Sequence, residues 1–454
     1  MEDSLFNRLT GGFEPFFYVM VMATGISSNL LHDFPYEARW LRYCSYPMFA
    51  LACLLFIGLQ IQQLLHMFRF VRQRSFDAYF KQYFRNPSHS VFWGTYSMGL
   101  ITIVNYIATL AQDEVKNLVV SKRLMKMAYA LWWYDVATSL IGAWGISFLL
   151  WQRFPKANNK ESHLTVPNAH VSTEGLKSVL VLLVVPLVVA SSSSSYFTMT
   201  DLFAEIYSRK TQLTILVITA LIWLHAVIFV FIIITIFFWS LYVNKIPPMG
   251  QVFSLFLLLG PMGQASYGIV LLTEDVRLYV FKYYTASTTN QDILLLTVPW
   301  CIKIIGLLLA LALLAMGYFF TTIGFAGVAS YYRTTTEEEY NGQIRIKRIY
   351  HFHKGWFAMT FPMGTMSLGS TGIWHHYNQF VPMYAFRVIG TIYAVICIMW
   401  TLVCLIGISC TGIIPQLTHI FKHITTRDSV SEVSTNSSKT KQPAQSEVYS
   451  HLSC

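Results

Sequence analysis

Apolar runs of 20 or more residues recur from one end of the chain to the other, separated by short polar stretches. Each run is long enough to cross the roughly 30 Å hydrocarbon core of a bilayer as a helix. Ten such intervals are expected, at about 14–33, 41–67, 91–111, 124–151, 176–197, 212–243, 250–272, 293–330, 356–371 and 382–412. The pattern therefore predicts an all-α polytopic membrane protein in three parts. These are a polar N-terminus (1–12), a ten-helix membrane domain (13–412), and a tail (413–454) that is Ser/Thr-rich, poor in aromatics and hence largely disordered.

The ten intervals alternate in character. The odd-numbered ones are shorter and interrupted. The stretch FAMTFPMGTMSLGST (357–371) is apolar and uncharged, yet places Pro362 and Gly364 where a spanning helix should be most regular. A proline in a helix interior loses a hydrogen bond and costs roughly 3 kcal/mol. Helix breaks are expected at Pro15, Pro186, Pro261, Pro362 and Gly364. The segments GTYSMG (94–99), GPMGQAS (260–266) and FPMGTMS (361–367) echo one another through a Met-Gly step beside small hydroxyl or amide residues. The even intervals are longer and more continuous, and the sixth has no Gly or Pro. This predicts five helical hairpins, each pairing a broken inner helix with a long outer one. Irregular backbone at membrane depth is tolerated where it is buried or lines a watery cavity, so the inner five are expected around a central pore. The competing reading is that small residues simply let helices approach closely.

Composition agrees: 54% of residues are hydrophobic and only 12% charged, against about 25% charged in soluble domains. The net charge of +10 does not point to nucleic acid, because the cations sit in loops between spans. The loops after spans 2, 4 and 8 are the basic ones, which by the positive-inside rule puts them and both termini in the cytoplasm. The loop after span 3 (Lys116, Lys122, Arg123, Lys126) argues the other way, offset by Asp113 and Glu114. The N-terminus has no basic n-region or cleavage site, so the first span is expected to act as the targeting signal. The seven cysteines form no CxxC pair and no His lies at ligand spacing, so neither a metal nor a cofactor is expected.

The inner intervals carry no Lys, Arg, Asp or Glu through their middles. A cation path would show acidic side chains there. Hydroxyls, amides and helix N-termini suit weak anion sites instead. The candidates are Thr24, Ser27, Thr95, Tyr96, the run Ser191 to Ser195 with Ser193 at its centre, Gln264, Thr360 and Thr365. Three ionisable residues lie in outer intervals: Asp135 and His225, which could relay protons, and Lys303, placed to snorkel to the interface. No HExxH, GxSxG or paired carboxylates at depth are present, so an enzyme is not expected. Ten spans also argue against a seven-helix receptor.

The segments FEPFFYVMVMATGISS, FRNPSHSVFWGTYSMGL, LWWYDVATSLIGAWGISFLLW, NKIPPMGQVFSLFLLLGPMGQASYGIVLLT and FHKGWFAMTFPMGTMSLG are long and collinear. Together they resemble the tellurite-resistance/dicarboxylate transporter family, which includes slow-type anion-channel-like proteins, with the strongest likeness to its sulfite-exporting fungal members. The resemblance covers about residues 13 to 412. It implies five hairpins around a pore, a homotrimer with one pore per protomer, and a phenylalanine on the ninth helix that occludes the pore. By position Phe361 is the first choice for that gate and Phe357 the second. The implied cargo is a small inorganic anion, sulfite or hydrogensulfite, exported across the plasma membrane by membrane potential or a proton gradient. A malate or other dicarboxylate permease and a passive voltage-driven anion channel share the same family.

Overall fold

The computed structural model describes residues 12–152, 178–284, 289–340 and 343–413. The N-terminal residues, the basic loop after span 4 and the Ser/Thr-rich tail named above lie outside them, apart from residue 12, Arg153's neighbour Gln152 and residue 413. Residues up to Leu405 belong to one compact unit. A second begins at Ile406 and is described only to 413, as the end of a helix and the π-helical turn Ser409–Ile413.

Helix occupies each of the ten expected intervals. The principal helices are α1 (Tyr18–His32), α2 (Arg39–Gln73), α3 (Trp93–Thr109), α4 (Leu118–Leu140), α5 (Val185–Phe197), α6 (Arg209–Asn244), α7 (Leu259–Tyr283), α8 (Thr289–Ser330), α9 (Thr360–Tyr377) and α10 (Tyr384–Ile408). Among the described residues, six helical stretches are long and apolar enough to cross a membrane: Arg39–Gln73, Pro87–Glu114, Arg209–Asn244, Met249–Tyr283, Thr297–Ser330 and Tyr384–Thr411. Strand occurs once among the described residues, as the antiparallel pair β1 (Thr336–Tyr340) and β2 (Gln343–Lys347) in the basic loop before α9.

The odd-numbered helices pack in a closed cycle, α1 on α3, α3 on α5, α5 on α7, α7 on α9, and α9 back on α1. Four consecutive pairs (α1 with α2, α3 with α4, α5 with α6, α7 with α8) pack as hairpins. Helix α10 is held to α9 by the Ser367 hydroxyl donating to the Gly390 carbonyl (2.7 Å) and to α1 by Ser27 Oγ donating to Thr401 Oγ1 (3.1 Å).

Glycine closes the cycle. A methyl added at Gly25 would lie 2.0 Å from Thr102 Oγ1, and one at Gly94 1.8 Å from the Leu182 carbonyl oxygen. At Gly263 it would meet the Met366 amide at 2.5 Å, and at Gly364 the Ile26 side chain at 2.5 Å. The seam between α5 and α7 is less tight, with Ser192 Cβ 3.2 Å from a methyl at Gly268. Close backbone approach is what small residues provide between helices in lipid.

The expected breaks take a different form from mid-span kinks. Helices α1, α5, α7 and α9 each follow a 3₁₀ segment (Pro15–Phe17, Ser178–Leu183, Met249–Leu258 and Lys354–Met359). Pro15 opens its 3₁₀ turn, while Pro186, Pro261 and Pro362 stand in the first turn of α5, α7 and α9. There the missing N–H falls where the helical ladder is only starting. Helix α9 runs through Gly364 without interruption; that glycine is a packing contact and not a break. The outer helices are not free of proline either, since Pro47 lies inside α2 and Pro299 inside α8.

Candidate functional site

Two cavities lie along the axis of the inner cycle. Each is lined by all five odd-numbered segments and by none of the outer helices. The larger, of about 640 Å³, is a vestibule at the N-terminal ends, where the 3₁₀ segments converge. The smaller, of about 40 Å³, is a chamber further along. Passing from vestibule to chamber, the lining moves from Met22 to Ile26 on α1, Thr95 to Thr102 on α3, Leu257 to Gln264 on α7 and Ala358 to Phe361 on the ninth segment. On the fifth segment it moves from Leu182 to Val189. The residues between (23–25, 96–101, 183–188, 258–263 and 359–360) line neither cavity, and this stretch is the waist between them.

Phe357 and Phe361 stand on the two sides of that waist. Phe357 is fully buried and lines the vestibule; Phe361 is 2% exposed and lines the chamber. The vestibule wall is mainly apolar. Its charged groups are Glu14 and Lys354, paired at 2.7 Å, with the ammonium also 5.5 Å from the Phe16 ring.

Of the residues expected along an anion path, two reach a cavity. Thr95 lines the vestibule and Gln264 the chamber. Thr24 and Thr365 are buried but turn their hydroxyls onto their own helices, to the carbonyls of Met20 (2.8 Å) and Pro362 (2.8 Å). This local back-bonding is how a hydroxyl is satisfied inside an apolar helix. Tyr96 faces outward and meets the Tyr134 hydroxyl of α4 at 2.9 Å. Ser193 lines neither cavity; it donates to Asn105 Oδ1, and Asn105 lines the chamber. Thr360 bonds the Phe357 carbonyl at 2.7 Å.

The chamber also contains residues that the search for hydroxyls passed over: Asn29, Asp33, Asn105, Tyr196 and Tyr267. The signal was present as polar pairs one turn apart, Thr102 with Asn105 and Gln264 with Tyr267. An asparagine within an apolar helix was its clearest mark.

Asp135 and His225 are not brought together. Asp135 is fully buried between α3 and α4, with Ser97 and Ser139 as its polar neighbours and no close hydrogen bond to either oxygen. His225 lies on the outer surface of α6, where the Trp144 indole donates to its Nε2 at 2.9 Å. Lys303 does not snorkel. It is 1% exposed, pairs with Glu274 Oε2 at 2.7 Å, and sits 5.0 Å from the Phe380 ring and 5.1 Å from the Tyr377 ring. Glu274, at the far end of α7, also takes Arg277. A partner already inside makes the interface unnecessary for the ammonium.

At the same end His32 bridges Asp33 (2.6 Å) and Glu114 (3.2 Å), and Arg42 pairs with Glu114 (2.9 Å). His32, Asp33 and Asp113 offer ligand atoms within 4.8 Å of one another, the one metal-capable group among the described residues. Two of the three are exposed, and the histidine is already committed to ion pairs.

Comparison with known proteins bears on this arrangement. The chain is 52% identical to the sulfite efflux pump SSU1 of Saccharomyces cerevisiae over 401 residues, 88% of this chain and 87% of that one. It is 31% identical to the Candida albicans protein of the same name over 396 residues, 87% of this chain and 73% of the other. For the Trichophyton rubrum protein of that name the identity is 26% over 404 residues, covering 88% and 91%. No solved structure matches the chain. Residues 12–409 match the family described as SLAC1, voltage-dependent anion channel, which takes in both cavities and the whole inner cycle, and the chain belongs to that family.

Proposed function

We propose that this protein exports sulfite or hydrogensulfite across the plasma membrane along the axis of its five inner helices. The observation that carries the reading is the pair of coaxial cavities, lined by inner helices alone and separated by a waist flanked by Phe357 and Phe361. Relatives named as sulfite efflux pumps supply the cargo. In this reading all ten helices cross the bilayer, both termini are cytoplasmic and the vestibule opens to the cytoplasm. The awkward cations after span 3 are partly neutralised, since Lys122 pairs with Glu205 at 2.9 Å. The assembly is a homotrimer, each protomer with its own path.

Voltage is sufficient to drive export. An anion leaving a negative interior gains about 2.3 kcal/mol per charge per 100 mV. The separation of Asp135 from His225 supports a channel-like path over a relay through both. A dicarboxylate cargo fits less well: the vestibule has room for one, but the 40 Å³ chamber does not, and no Arg lines either cavity.

The test is efflux from proteoliposomes of the purified protein, with voltage and pH gradients imposed separately and malate as competitor. Sulfite efflux on voltage alone, without malate flux or competition, is the expected result. A requirement for the proton gradient would replace the channel mechanism by a coupled one. Phe361→Ala is expected to raise anion leak at zero proton gradient; unchanged flux from a correctly inserted variant would remove Phe361 as the gate.

A further inference from the structure

The chamber is not furnished as an ordinary anion site. Such sites converge N–H and O–H donors on the ion. Here donors and acceptors are mixed. Asn105 accepts the Ser193 hydroxyl through its Oδ1, which leaves its amide hydrogens to offer. Tyr267 brings a hydroxyl. Against these stand three acceptors. Asn29 uses its amide nitrogen on the carbonyls of Gly25 (2.8 Å) and Thr102 (3.0 Å), leaving Oδ1. Asp33 contributes a carboxylate, one oxygen of which is already held by His32 at 2.6 Å.

Gln264 is the decisive one. It is 2% exposed, its Nε2 donates to Ser192 Oγ at 2.5 Å, and its Oε1 has no hydrogen-bond partner. Ser192 gives its own proton to the Val189 carbonyl (2.9 Å), so its oxygen accepts and the group facing it is the NH₂. A buried acceptor left in this state costs about 1–3 kcal/mol until a donor arrives. No Lys, Arg or His lines the chamber.

We propose that the chamber selects a singly protonated oxyanion, its O–H donated to Gln264 Oε1 and its bare oxygens taking protons from Asn105 and Tyr267. Resting on the transport reading above, this makes hydrogensulfite the transported species in preference to the sulfite dianion. The dianion has no proton for Gln264 or Asn29. A cavity of about 40 Å³ is the size for one compact oxyanion stripped of most of its water.

The experiment uses the full chain in proteoliposomes at zero membrane potential and fixed total sulfite, across the second ionisation of sulfurous acid. Wild-type flux is expected to follow the hydrogensulfite fraction, falling about tenfold per pH unit on the alkaline side. Gln264→Met removes the acceptor. It is expected to lower hydrogensulfite flux by up to about tenfold, the scale of one hydrogen bond, and to flatten the pH profile. Ser192→Ala is the milder variant: it frees the amide to turn its NH₂ toward the chamber and should raise alkaline flux relative to wild type. Wild-type flux that stays level or rises with pH would overturn the proposal, as would variants that keep the wild-type slope. Absence of sulfite flux in the wild type at every pH would instead remove the transport reading itself.

Discussion

The inner and outer helices of this protein follow opposite rules. In the most apolar window of Met249–Tyr283, 94% of residues are buried, and in Arg39–Gln73 only 17%. The outer helices are nevertheless the more apolar set, because their neighbour is lipid. The interior is where the glycines, hydroxyls and amides collect. In a bilayer no hydrophobic gain comes from pressing two apolar helices together, so cohesion rests on close packing and hydrogen bonds. The outer helices take part in that cohesion at a few points. The indoles of Trp132 on α4, Trp223 on α6 and Trp400 on α10 donate to the backbone carbonyls of Ala190 (2.8 Å), Ala265 (3.1 Å) and Trp356 (3.0 Å) on inner segments.

The contrast can be broken most severely at the one buried ion pair that joins an inner and an outer helix among the described residues. Lys303→Met strands Glu274 with Arg277 alone, and a loss of about 3–5 kcal/mol is expected, read as a lowered thermal transition in detergent. The double variant with Glu274→Gln should recover much of it; a double variant no better than the single would show that the pair is not the source. Next in size is the inner seam. Gly263→Val drives a side chain into the Thr365–Met366 backbone and should cost about 1–3 kcal/mol or more. Gly58→Val on outer α2, where nothing lies within 4 Å, should change stability by less than about 0.5 kcal/mol. Equal effects at the two glycines would erase the distinction. Trp132→Phe keeps an aromatic ring but loses the bond to Ala190 and part of a fully buried indole's volume, an expected cost of about 1–3 kcal/mol. The smallest effect belongs to Leu308→Ala, at a side chain 62% exposed on α8. It is expected to be near neutral in thermal unfolding, and a loss of core size would mean that this face is covered by another protomer.

Much of the architecture was legible because bilayer thickness sets run length and because glycine and proline cluster in alternate runs. What those residues do there was less legible. The Met-Gly steps admit two readings, and the structure uses the glycines for seams while the prolines stand at 3₁₀-to-α junctions. The direction of a hydroxyl could not be read at all. Thr24, Thr95 and Thr365 look alike in sequence, and each bonds a carbonyl of its own helix, yet only Thr95 reaches a cavity. On a helix buried all round, no period marks the axial face. Lys303 is hard to place from sequence for another reason: its partner Glu274 precedes it by 29 residues, on a different helix, just past the uncharged part of its interval.

That ion pair also bears on how the protein is made. A nascent chain is delivered to the membrane from its N-terminus, so the carboxylate emerges from the ribosome before its ammonium has been synthesised. Each charge alone in hydrocarbon costs about 2.5–3.5 kcal/mol on the translocon scale. The hairpin of α7 and α8 therefore has reason to leave the translocon as one unit: Glu274 has Arg277 of its own helix beside it from the start, whereas Lys303 gains its carboxylate only once α8 packs on α7.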